Sequence, residues 1–286
     1  MHEAGSGVTA TVASLRASTA WSLVSSTPLR FPAFHPQGLV RHGGLWWLST
    51  VDVAAPQGHL LAFDDAGEQH ADLLIGDGPR FHPGGFDVTD GIAYIPVAEY
   101  VPRSSASVWR VDLDDPAPAV VFRVDDHLGV VCFRPDRDEH VAMTWGSREI
   151  VRLSADGTEL DRRANPSHFI DIQDNQLLGP DTLLCSGVSF PPSGASVVGI
   201  GGVGLLDLDT LAWVHEIPIV ERTAHKRPIT CNPVWVELAA DGSLLMNVVP
   251  DDDEAACLLT YRAAQDGAPQ LSAGRAGRAG GTRRRG

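Results

Sequence analysis

Short apolar segments recur along the chain, each about as long as a β-strand and each bounded by a tight turn. After His35 the sequence reads LVRHGGLWWLSTV, and after His82 it reads FDVTDGIAYIPVA, so two apolar runs flank a glycine turn in each case. The same arrangement follows His127, His168 and Asn232, and the spacings between the five positions are 47, 45, 41 and 64 residues. A repeat of this length, with only strand-like segments inside it, is typical of a β-propeller with four-stranded blades.

The number of repeats predicts an all-β fold, a five-bladed β-propeller. The fifth repeat ends one strand short after CLLTYRAAQ, whereas a strand-like segment from Ala20, AWSLVSSTPLRF, precedes the first repeat. If this N-terminal strand completes the last blade, the ring is closed and no sheet edge is left free between the first and last blades. The long interval between His168 and Asn232 leaves room for six blades, although a long loop over residues 187–203 explains it more simply.

One domain accounts for most of the chain. We predict a single propeller domain over residues 20–265, a disordered N-terminal tail over residues 1–19 and a disordered basic tail over residues 266–286. The last twenty residues, GAPQLSAGRAGRAGGTRRRG, hold five arginines and no acid. This Gly/Ala/Arg segment is too poor in apolar residues to build a core.

Composition and charge restrict the partners. The 29 glycines and 20 prolines suit a fold with many tight turns. The net charge is −14, and because the basic tail holds five arginines and no acid, the rest of the chain is more acidic than this value. An acidic protein surface repels phosphate backbones and anionic lipid, so neither nucleic acid nor a membrane is expected as a partner. The sequence contains no apolar run long enough to span a membrane and no convincing signal peptide. We therefore expect a cytoplasmic protein that binds a small molecule, with its oligomeric state left open.

The repeat starts point to one site. In a propeller the first strand of each blade is innermost and begins at the mouth of the central funnel, where loops on a rigid scaffold commonly bind ligands. Imidazole nitrogens suit transition metals such as iron or zinc. The predicted metal ligands are His35, His82, His127 and His168. The alternative is structural, since proline can set the turn while histidine bridges to a neighbouring backbone.

Other polar and aromatic residues of the predicted mouth are candidates for catalysis or substrate binding. Glu99 ends an inner strand and Asp87 follows a repeat start, so either carboxylate could transfer a proton, while Asn232 occupies the fifth repeat start. A hydrogen-bonded structural role is the alternative for Glu99, and packing between blades is the alternative for the tryptophans. The predicted substrate-binding residues are Tyr100, Trp145, Arg148, Phe190, Trp235 and Cys231. We expect His140, in contrast, to be solvated, and the basic loop TAHKRP to be either a lid over the mouth or an exposed connector.

Several motifs, taken together, resemble a bacterial family of uncharacterised propeller-like proteins. They are HPQG, HPGG, VAEY, FRVDDH, WGSR, NPSH and NPVW, and the resemblance covers about residues 30–262. More distantly, the layout is similar to gluconolactonase-like and strictosidine-synthase-like propellers. The resemblance implies the fold and the mouth-facing motifs but supplies no reaction. In that family a histidine often precedes the Asn of NPVW, where this chain has Cys231, and the gluconolactonase-like metal ligands have no counterpart at matching positions.

Two classes of function remain open. The first is a metal-dependent enzyme that acts on a small organic molecule as a hydrolase, lyase or isomerase (including a cyclase). In such an enzyme a divalent ion, whether iron, zinc or another transition metal, would polarise a carbonyl or activate water. The second is a non-catalytic ligand-binding or scaffolding propeller that needs no cofactor. A four-histidine iron oxygenase is a further alternative.

Overall fold

The computed structural model describes residues 2–167, 169–193 and 196–264, which form one α-helix, α1 (His2–Ser14), followed by β-strands. The strands of the first half are β1 (Trp21–Pro28), β2 (His35–His42), β3 (Leu45–Asp52), β4 (Gln57–Phe63), β5 (Gln69–Leu74), β6 (His82–Pro83), β7 (Gly85–Thr89), β8 (Ile92–Ala98), β9 (Ala106–Asp112), β10 (Ala119–Val124), β11 (Leu128–Arg134) and β12 (Glu139–Thr144). Those of the second half are β13 (Glu149–Ser154), β14 (Glu159–Ala164), β15 (Asp171–Leu177), β16 (Thr182–Ser189), β17 (Pro192–Ser193), β18 (Ser196–Val197), β19 (Ile200–Asp207), β20 (Ala212–Ile219), β21 (Val234–Leu238), β22 (Leu244–Val248) and β23 (Cys257–Ala263). The fold is all-β, as predicted.

The strands form antiparallel groups of four. Three sheets have four strands each, in the orders β2-β3-β4-β5, β15-β16-β19-β20 and β1-β23-β22-β21. A nine-stranded sheet has the order β10-β9-β8-β7-β11-β12-β13-β14, with β6 also paired to β8, and β17 and β18 pair with each other. The strands β2, β7, β11, β15 and β21 contact one another, so the first strands of the groups surround a common centre.

A short parallel pairing of β7 with β11 joins two four-stranded groups into the nine-stranded sheet. Its partners are Gly85 with Val130 and Phe86 with Val131. The preceding glycine of the HPGG motif explains the close approach, because a side chain at Gly84 would collide with the carbonyl oxygen of Gly129. This glycine is therefore required by contact between neighbouring sheets.

The burial of a strand follows its position in its sheet. In the middle of the first sheet, β3 is buried along nearly its whole length, and its sequence is an apolar run. The outermost strands β5 and β14 have mostly exposed or half-buried side chains, and β14 reads ELDRRA. The hydrophobic core therefore lies between adjacent sheets and towards the common centre.

The N-terminal strand β1 is the outer strand of the last sheet. It pairs antiparallel with β23, from Trp21 opposite Ala263 to Pro28 opposite Cys257. This is the strand pairing that the sequence predicts for residues near 20–31. The first and last strands of the sheets are thereby joined through backbone hydrogen bonds.

The disordered tail predicted over residues 1–19 is wrong for most of its length, because residues 2–14 form α1. Val8, Val12 and Leu15 are buried in a core cluster with residues of the last sheets. Their spacing of four and three residues places them on one face of a helix, which covers the sheet. The basic tail over residues 266–286 lies outside the described residues. In the described part of the chain, no helix is long and apolar enough to cross a membrane.

Asp174 connects three sheets at the common centre. Its Oδ2 accepts hydrogen bonds from the backbone N–H of Leu39 in β2 (3.0 Å) and of Val234 in β21 (3.1 Å), and its Oδ1 accepts one from Asn175 (2.9 Å). The residue has no solvent-exposed surface, and this burial raises the pKa of Asp174 well above its ordinary value. One carboxyl group thus satisfies backbone donors of the first sheet, of the sheet that contains β15 and of the last sheet.

His140 on β12 lies in an aromatic cage between the two four-stranded groups of the nine-stranded sheet. Its ring centroid is 4.8 Å from that of Tyr94, 5.1 Å from that of Phe122 and 4.8 Å from that of Phe133. Only 1% of the residue is exposed, and within the described residues neither ring nitrogen has a hydrogen-bond partner. Burial lowers the pKa of His140 to about 4. The expectation that this histidine is solvated is therefore wrong.

Candidate functional site

A cavity of about 190 Å³ opens where the inner strands begin, and three of the four predicted histidines line it. His35 begins β2, His82 begins β6 and His127 directly precedes β11. Tyr100, Trp145, Asp171 and Gln173 are further lining residues of this cavity, which we call the imidazole cavity. The fourth histidine, His168, lies outside the described residues.

Hydrogen bonds to Nδ1 orient two of the imidazole rings. Nδ1 of His35 lies 3.0 Å from Oδ1 of Asp252, and Nδ1 of His127 lies 3.2 Å from the carbonyl oxygen of Val101. The carboxylate and the carbonyl can only accept, so Nδ1 carries the proton in each ring, and Oγ of Ser104 lies 3.2 Å from the same nitrogen of His127. In the neutral form, Nε2 of His35 and of His127 is then the nitrogen with a free lone pair.

His82 is a neutral imidazole between the other two. Its ring stacks on Tyr100 with centroids 4.2 Å apart and lies 5.9 Å from the ring of His127. Burial lowers the pKa of His82 to about 3, and the neighbouring His127 and His35 contribute to this shift. Its Nδ1 is buried and has no hydrogen-bond partner among the described residues. Burial also lowers the pKa of His127, although the backbone carbonyls of Val101 and Glu99 act in the opposite direction.

Two carboxyl groups beside the imidazole cavity have opposite environments. Burial raises the pKa of Asp171, and a hydrogen bond from Ser147 (3.0 Å) and the charge of Arg148 offset this only in part. Burial would also raise the pKa of Asp252, but hydrogen bonds from His35 and Arg227 outweigh it and bring this pKa to about 2. At neutral pH, Asp252 is therefore ionised, whereas Asp171 holds its proton to a higher pH than an ordinary aspartate does.

A second cavity of about 370 Å³ adjoins the first and shares His35, Asp171 and Gln173 with it. We call it the cationic lobe, because three positively charged side chains line it. These are Arg222, Lys226 and Arg227. A third cavity, of about 290 Å³, shares Asp171 with both and Phe190 with the cationic lobe, and Arg148 lines it. The three cavities form one continuous mouth, with Asp171 as their common residue.

Most of the predicted site residues line this mouth. They are His35, His82, His127, Tyr100, Trp145, Arg148, Phe190, Cys231 and Asn232. Asn232 donates from Nδ2 to the carbonyl of Pro250 (3.1 Å) and to Oδ1 of Asp252 (3.3 Å), so it positions the carboxylate that holds His35. Burial raises the pKa of Cys231 to about 11, which makes its thiol a poor nucleophile at neutral pH.

Three predicted site residues are not among those that line the mouth. Asp87 is buried among the inner strands, where it accepts hydrogen bonds from the backbone N–H of Val88 and Leu177, and burial raises its pKa to about 7. Glu99 accepts two hydrogen bonds from Ser105, which lower its pKa and weaken it as a base. Trp235 packs against two core clusters between sheets. A catalytic role for Asp87 or Glu99, and substrate binding by Trp235, therefore find no support in the geometry.

Asp171 and Gln173, which line the mouth, and Asp252, which bonds to His35, were not among the predicted catalytic, metal-binding or substrate-binding residues. Asp171 and Gln173 alternate along β15, and residues two apart in a strand face the same side. This alternation was visible in the motif FIDIQD. Asp252 was not chosen because a run of three aspartates is usually a solvated loop. The basic loop TAHKRP neither covers the mouth as a lid nor lies clear of it, because Lys226 and Arg227 line the cationic lobe.

The metal site remains a prediction. Among the described residues, no three or more His, Cys, Asp or Glu side chains lie close enough to hold an ion together. The two rings of His82 and His127, at 5.9 Å between centroids, are neighbours in the cavity. His168, the remaining predicted ligand, lies outside the described part of the chain.

The fold and site belong to an all-β protein with a ligand-sized mouth at the starts of its inner strands. The chain is a member of a Family of unknown function (DUF6454), whose model matches residues 4–266. No curated protein matches the chain. The family membership agrees with the resemblance to uncharacterised proteins that the sequence motifs indicate.

Solved structures are similar in fold at low sequence identity. The bifunctional GH43-CE protein of Bacteroides eggerthii is 11% identical, with a TM-score of 0.53 over 82% of this chain and 34% of that one. The WD40 beta propeller domain of Doa1 is 10% identical, with a TM-score of 0.42 over 87% and 98% of the two chains. Streptogramin B lyase is 10% identical, with a TM-score of 0.48 over 88% and 100%. The chain spans 54% to 69% of the length of several other similar structures. These likenesses concern the fold alone.

Proposed function

We propose that the protein is an enzyme that moves a proton to or from a small organic molecule in the mouth, as a lyase or isomerase does. The observation that carries this proposal is the opposite environment of Asp171 and Asp252 beside one cavity. Where two titratable groups have pKa values pushed apart, one serves as the acid and the other supports the base. A cavity lined by neutral imidazoles between them adds groups that can bond to a substrate oxygen.

The proposed roles follow from the hydrogen bonds. Asp252 holds His35 through Nδ1, so Nε2 of His35 takes a proton from the substrate and Asp252 stabilises the resulting imidazolium. Asp171, with its raised pKa, returns a proton on the other side. His82 and His127 stay neutral and can bond to the substrate without adding charge. Hydrolysis through a cysteine nucleophile is less favoured, because the thiol of Cys231 is not activated.

The scaffold that we propose is a five-bladed propeller closed by β1. Five groups of four strands support it: β2 to β5, β7 to β10, β11 to β14, the sheet that contains β15, and the last sheet with β1. Such a scaffold suits a small-molecule site, and the acidic charge of the chain makes nucleic acid an unfavourable partner. The distant likeness to gluconolactonase-like and strictosidine-synthase-like propellers remains a prediction.

Proton abstraction can be tested before the net reaction is known. We expect the protein, in D2O, to exchange carbon-bound protons of at least one member of a panel of small oxo and hydroxy acids, followed by NMR. Replacing Asp171 with Asn or His35 with Gln should slow this exchange by about 10²–10⁴-fold, which is typical for the loss of a general acid or base. The melting temperature should change little, because both side chains line a cavity.

Asp115→Asn is the matched control, because Asp115 is an exposed aspartate in the turn before β10. Its exchange rate should equal that of the unchanged protein. Exchange that persists in Asp171→Asn and His35→Gln, or an absence of exchange throughout the panel, would overturn the acid–base assignment. Binding of a panel member without exchange would favour the non-catalytic, ligand-binding propeller.

A metal-dependent enzyme is the second candidate. Metal-binding histidines usually donate their other nitrogen to a carboxylate or a backbone carbonyl, and His35 and His127 have such partners at Nδ1. The proposed ligands are Nε2 of these rings and nitrogens of His82 and His168, which suit iron or zinc. Binding would require the rings of His35, His82 and His127 to move closer together than they lie in this structure. Iron in this position would reopen the oxygenase alternative.

Elemental analysis of protein purified without a polyhistidine tag tests the second candidate. If it is right, about one equivalent of iron, zinc or another transition metal should copurify, and His82→Ala should lose it while the fold is kept. His70→Ala removes an exposed histidine on β5 and should leave the metal content unchanged. Protein that holds no metal above background, and takes up none when iron or zinc is added, would leave the metal-free reaction as the remaining form of the enzyme.

A further inference from the structure

Positive charges are left without carboxylate partners in the cationic lobe. Elsewhere, arginines typically pair with acids, as Arg41 does with Asp65 at 2.8 Å. In the described part of the chain, neither Arg222 nor Lys226 has a carboxylate within ion-pair distance. The guanidinium of Arg222 instead donates to the carbonyl oxygens of Lys226 (2.9 Å) and Gly199. Both residues are exposed at the opening of the cavity. In a protein with a net charge of −14, two cations without carboxylate partners at one opening favour an anion there.

The loop that carries Lys226 has a backbone fixed by hydrogen bonds. Lys226 is the single lysine of the 286-residue chain, and its φ of 65° lies in the left-handed region that side chains rarely adopt. Its backbone N–H donates to the carbonyl of Thr223 (2.9 Å), and its carbonyl accepts from Arg222. Thr223 also accepts from the N–H of His225 through Oγ1 (3.1 Å). The loop is therefore a hydrogen-bonded turn that fixes the backbone position from which the Lys226 side chain extends.

Asp252 connects the lobe to the proposed base. Nη1 of Arg227 lies 2.8 Å from Oδ2 of Asp252, and Oδ1 of the same carboxylate bonds to His35. Arg227 is thus neutralised within the protein, which leaves Arg222 and Lys226 as the free charges. A ligand bound to these two groups lies in a cavity that His35 also lines.

The lobe also has an apolar wall. Phe190, 59% exposed, lines it together with Val188 and Pro228. The cavity of about 370 Å³ has room for a small organic body beside the charged group. Apolar surface of this kind favours an organic anion over a bare inorganic ion, because only the former buries carbon against it.

We infer that the cationic lobe binds the carboxylate of a small organic acid, with Arg222 and Lys226 pairing with the carboxylate and Phe190 contacting the apolar part. This inference rests on the proposed function only where it makes that acid the substrate. It gives the substrate class as a carboxylic acid whose reacting carbon lies towards His35 and Asp171. Binding itself can be measured without any reaction.

The single lysine makes the test site-specific. An amine-acetylating reagent can modify only Lys226 and the α-amino group of the chain, and peptide mass spectrometry measures both rates in the same sample. Benzoate or phenylacetate at saturating concentration should slow acetylation of Lys226 by about fivefold or more and leave the α-amine unchanged. Acetate and inorganic phosphate should protect much less, since neither fills the apolar part of the lobe.

Calorimetric titration with phenylacetate supplies the second measurement. Lys226→Gln and Arg222→Gln should each weaken binding by about tenfold or more, as expected for the loss of a charge-assisted hydrogen bond. Arg110→Gln removes an arginine from β9, outside the cationic lobe, and should not change the affinity for phenylacetate. Protection of both amines alike, protection by phosphate equal to that by phenylacetate, or unchanged affinity in both lobe variants would overturn the inference.

The results separate this inference from the proposed function. Phenylacetate binding that Lys226→Gln weakens, with no deuterium exchange in any acid, would support the carboxylate-binding lobe and overturn the proposed enzyme. Deuterium exchange that depends on Asp171 but not on Lys226, together with unprotected acetylation, does the reverse.

Discussion

Replacing Asp174 with Ala is expected to lower the free energy of unfolding by about 3 kcal/mol or more. The substitution leaves three buried backbone N–H groups without acceptors, those of Leu39, Asn175 and Val234. Each unsatisfied buried donor costs about 1–3 kcal/mol. Two of these donors lie in the first and last sheets, so the substitution should weaken the contact between β2 and β21. Urea unfolding followed by tryptophan fluorescence measures the change.

Two further variants show whether the acceptor role is responsible. Asp174→Asn keeps one acceptor oxygen and should destabilise the protein less than Ala does. Asp241→Ala also removes an aspartate that accepts three hydrogen bonds, two from Ser243 and one from Arg262, but at the surface. Water replaces those bonds, so the change in unfolding should be small. A similar effect of Asp174→Ala and Asp241→Ala would mean that Asp174 does not hold the sheets together.

Replacing His140 with Phe should stabilise the protein and reduce its sensitivity to acid. The ring nitrogens of His140 are buried without partners in the described part of the chain, and a phenyl ring has no polar atom to desolvate. Because the pKa of His140 falls to about 4 in the folded state, from about 6.5 when unfolded, folding requires the neutral ring. The neutral ring of His140 therefore contributes fully to the free energy of unfolding above pH 6.5. Roughly 3 kcal/mol of this free energy is lost as the pH falls from 6.5 through 4.

Thermal unfolding between pH 7 and pH 4 tests this expectation. His140→Phe should unfold at a higher temperature than the unchanged protein at pH 7, and the gap should widen as the pH falls. His70→Phe is the control, because His70 is exposed and pairs with Asp64. An equal fall in melting temperature for His140→Phe and the unchanged protein would place the acid sensitivity in other groups.

The strand pattern of the sequence was sufficient for much of the fold, because apolar runs and turns are local signals. The pairing of β1 with β23 followed from counting strands. The helix α1 was missed, since its only large apolar residues are Val8 and Val12, with Leu15 directly after its end. All three are buried only because a sheet lies beneath them. His140 was misjudged for the same reason: its cage is supplied by Tyr94 and Phe122 from other strands.

The candidate site could be predicted only in part. The repeats indicated which histidines lie together, because equal positions in equal units meet at the same place. The partners of these histidines could not be predicted in that way, since Asp252 is 217 residues from His35 along the chain. The pKa of Asp171 depends on burial by other segments, and the charge balance of the cationic lobe depends on which arginines find acids. These properties exist only once distant segments have packed.

The pairing of β1 with β23 has a consequence for synthesis of the chain. A ribosome completes Pro28 early but does not reach Cys257 until almost the whole fold has been made. At about 5–20 residues per second, this interval is on the order of ten to fifty seconds. During this interval β1, which carries the exposed residues Leu23 and Val24, has no partner strand. The nascent polypeptide therefore offers an unpaired strand to chaperones, and to other nascent chains, until β23 has been synthesised.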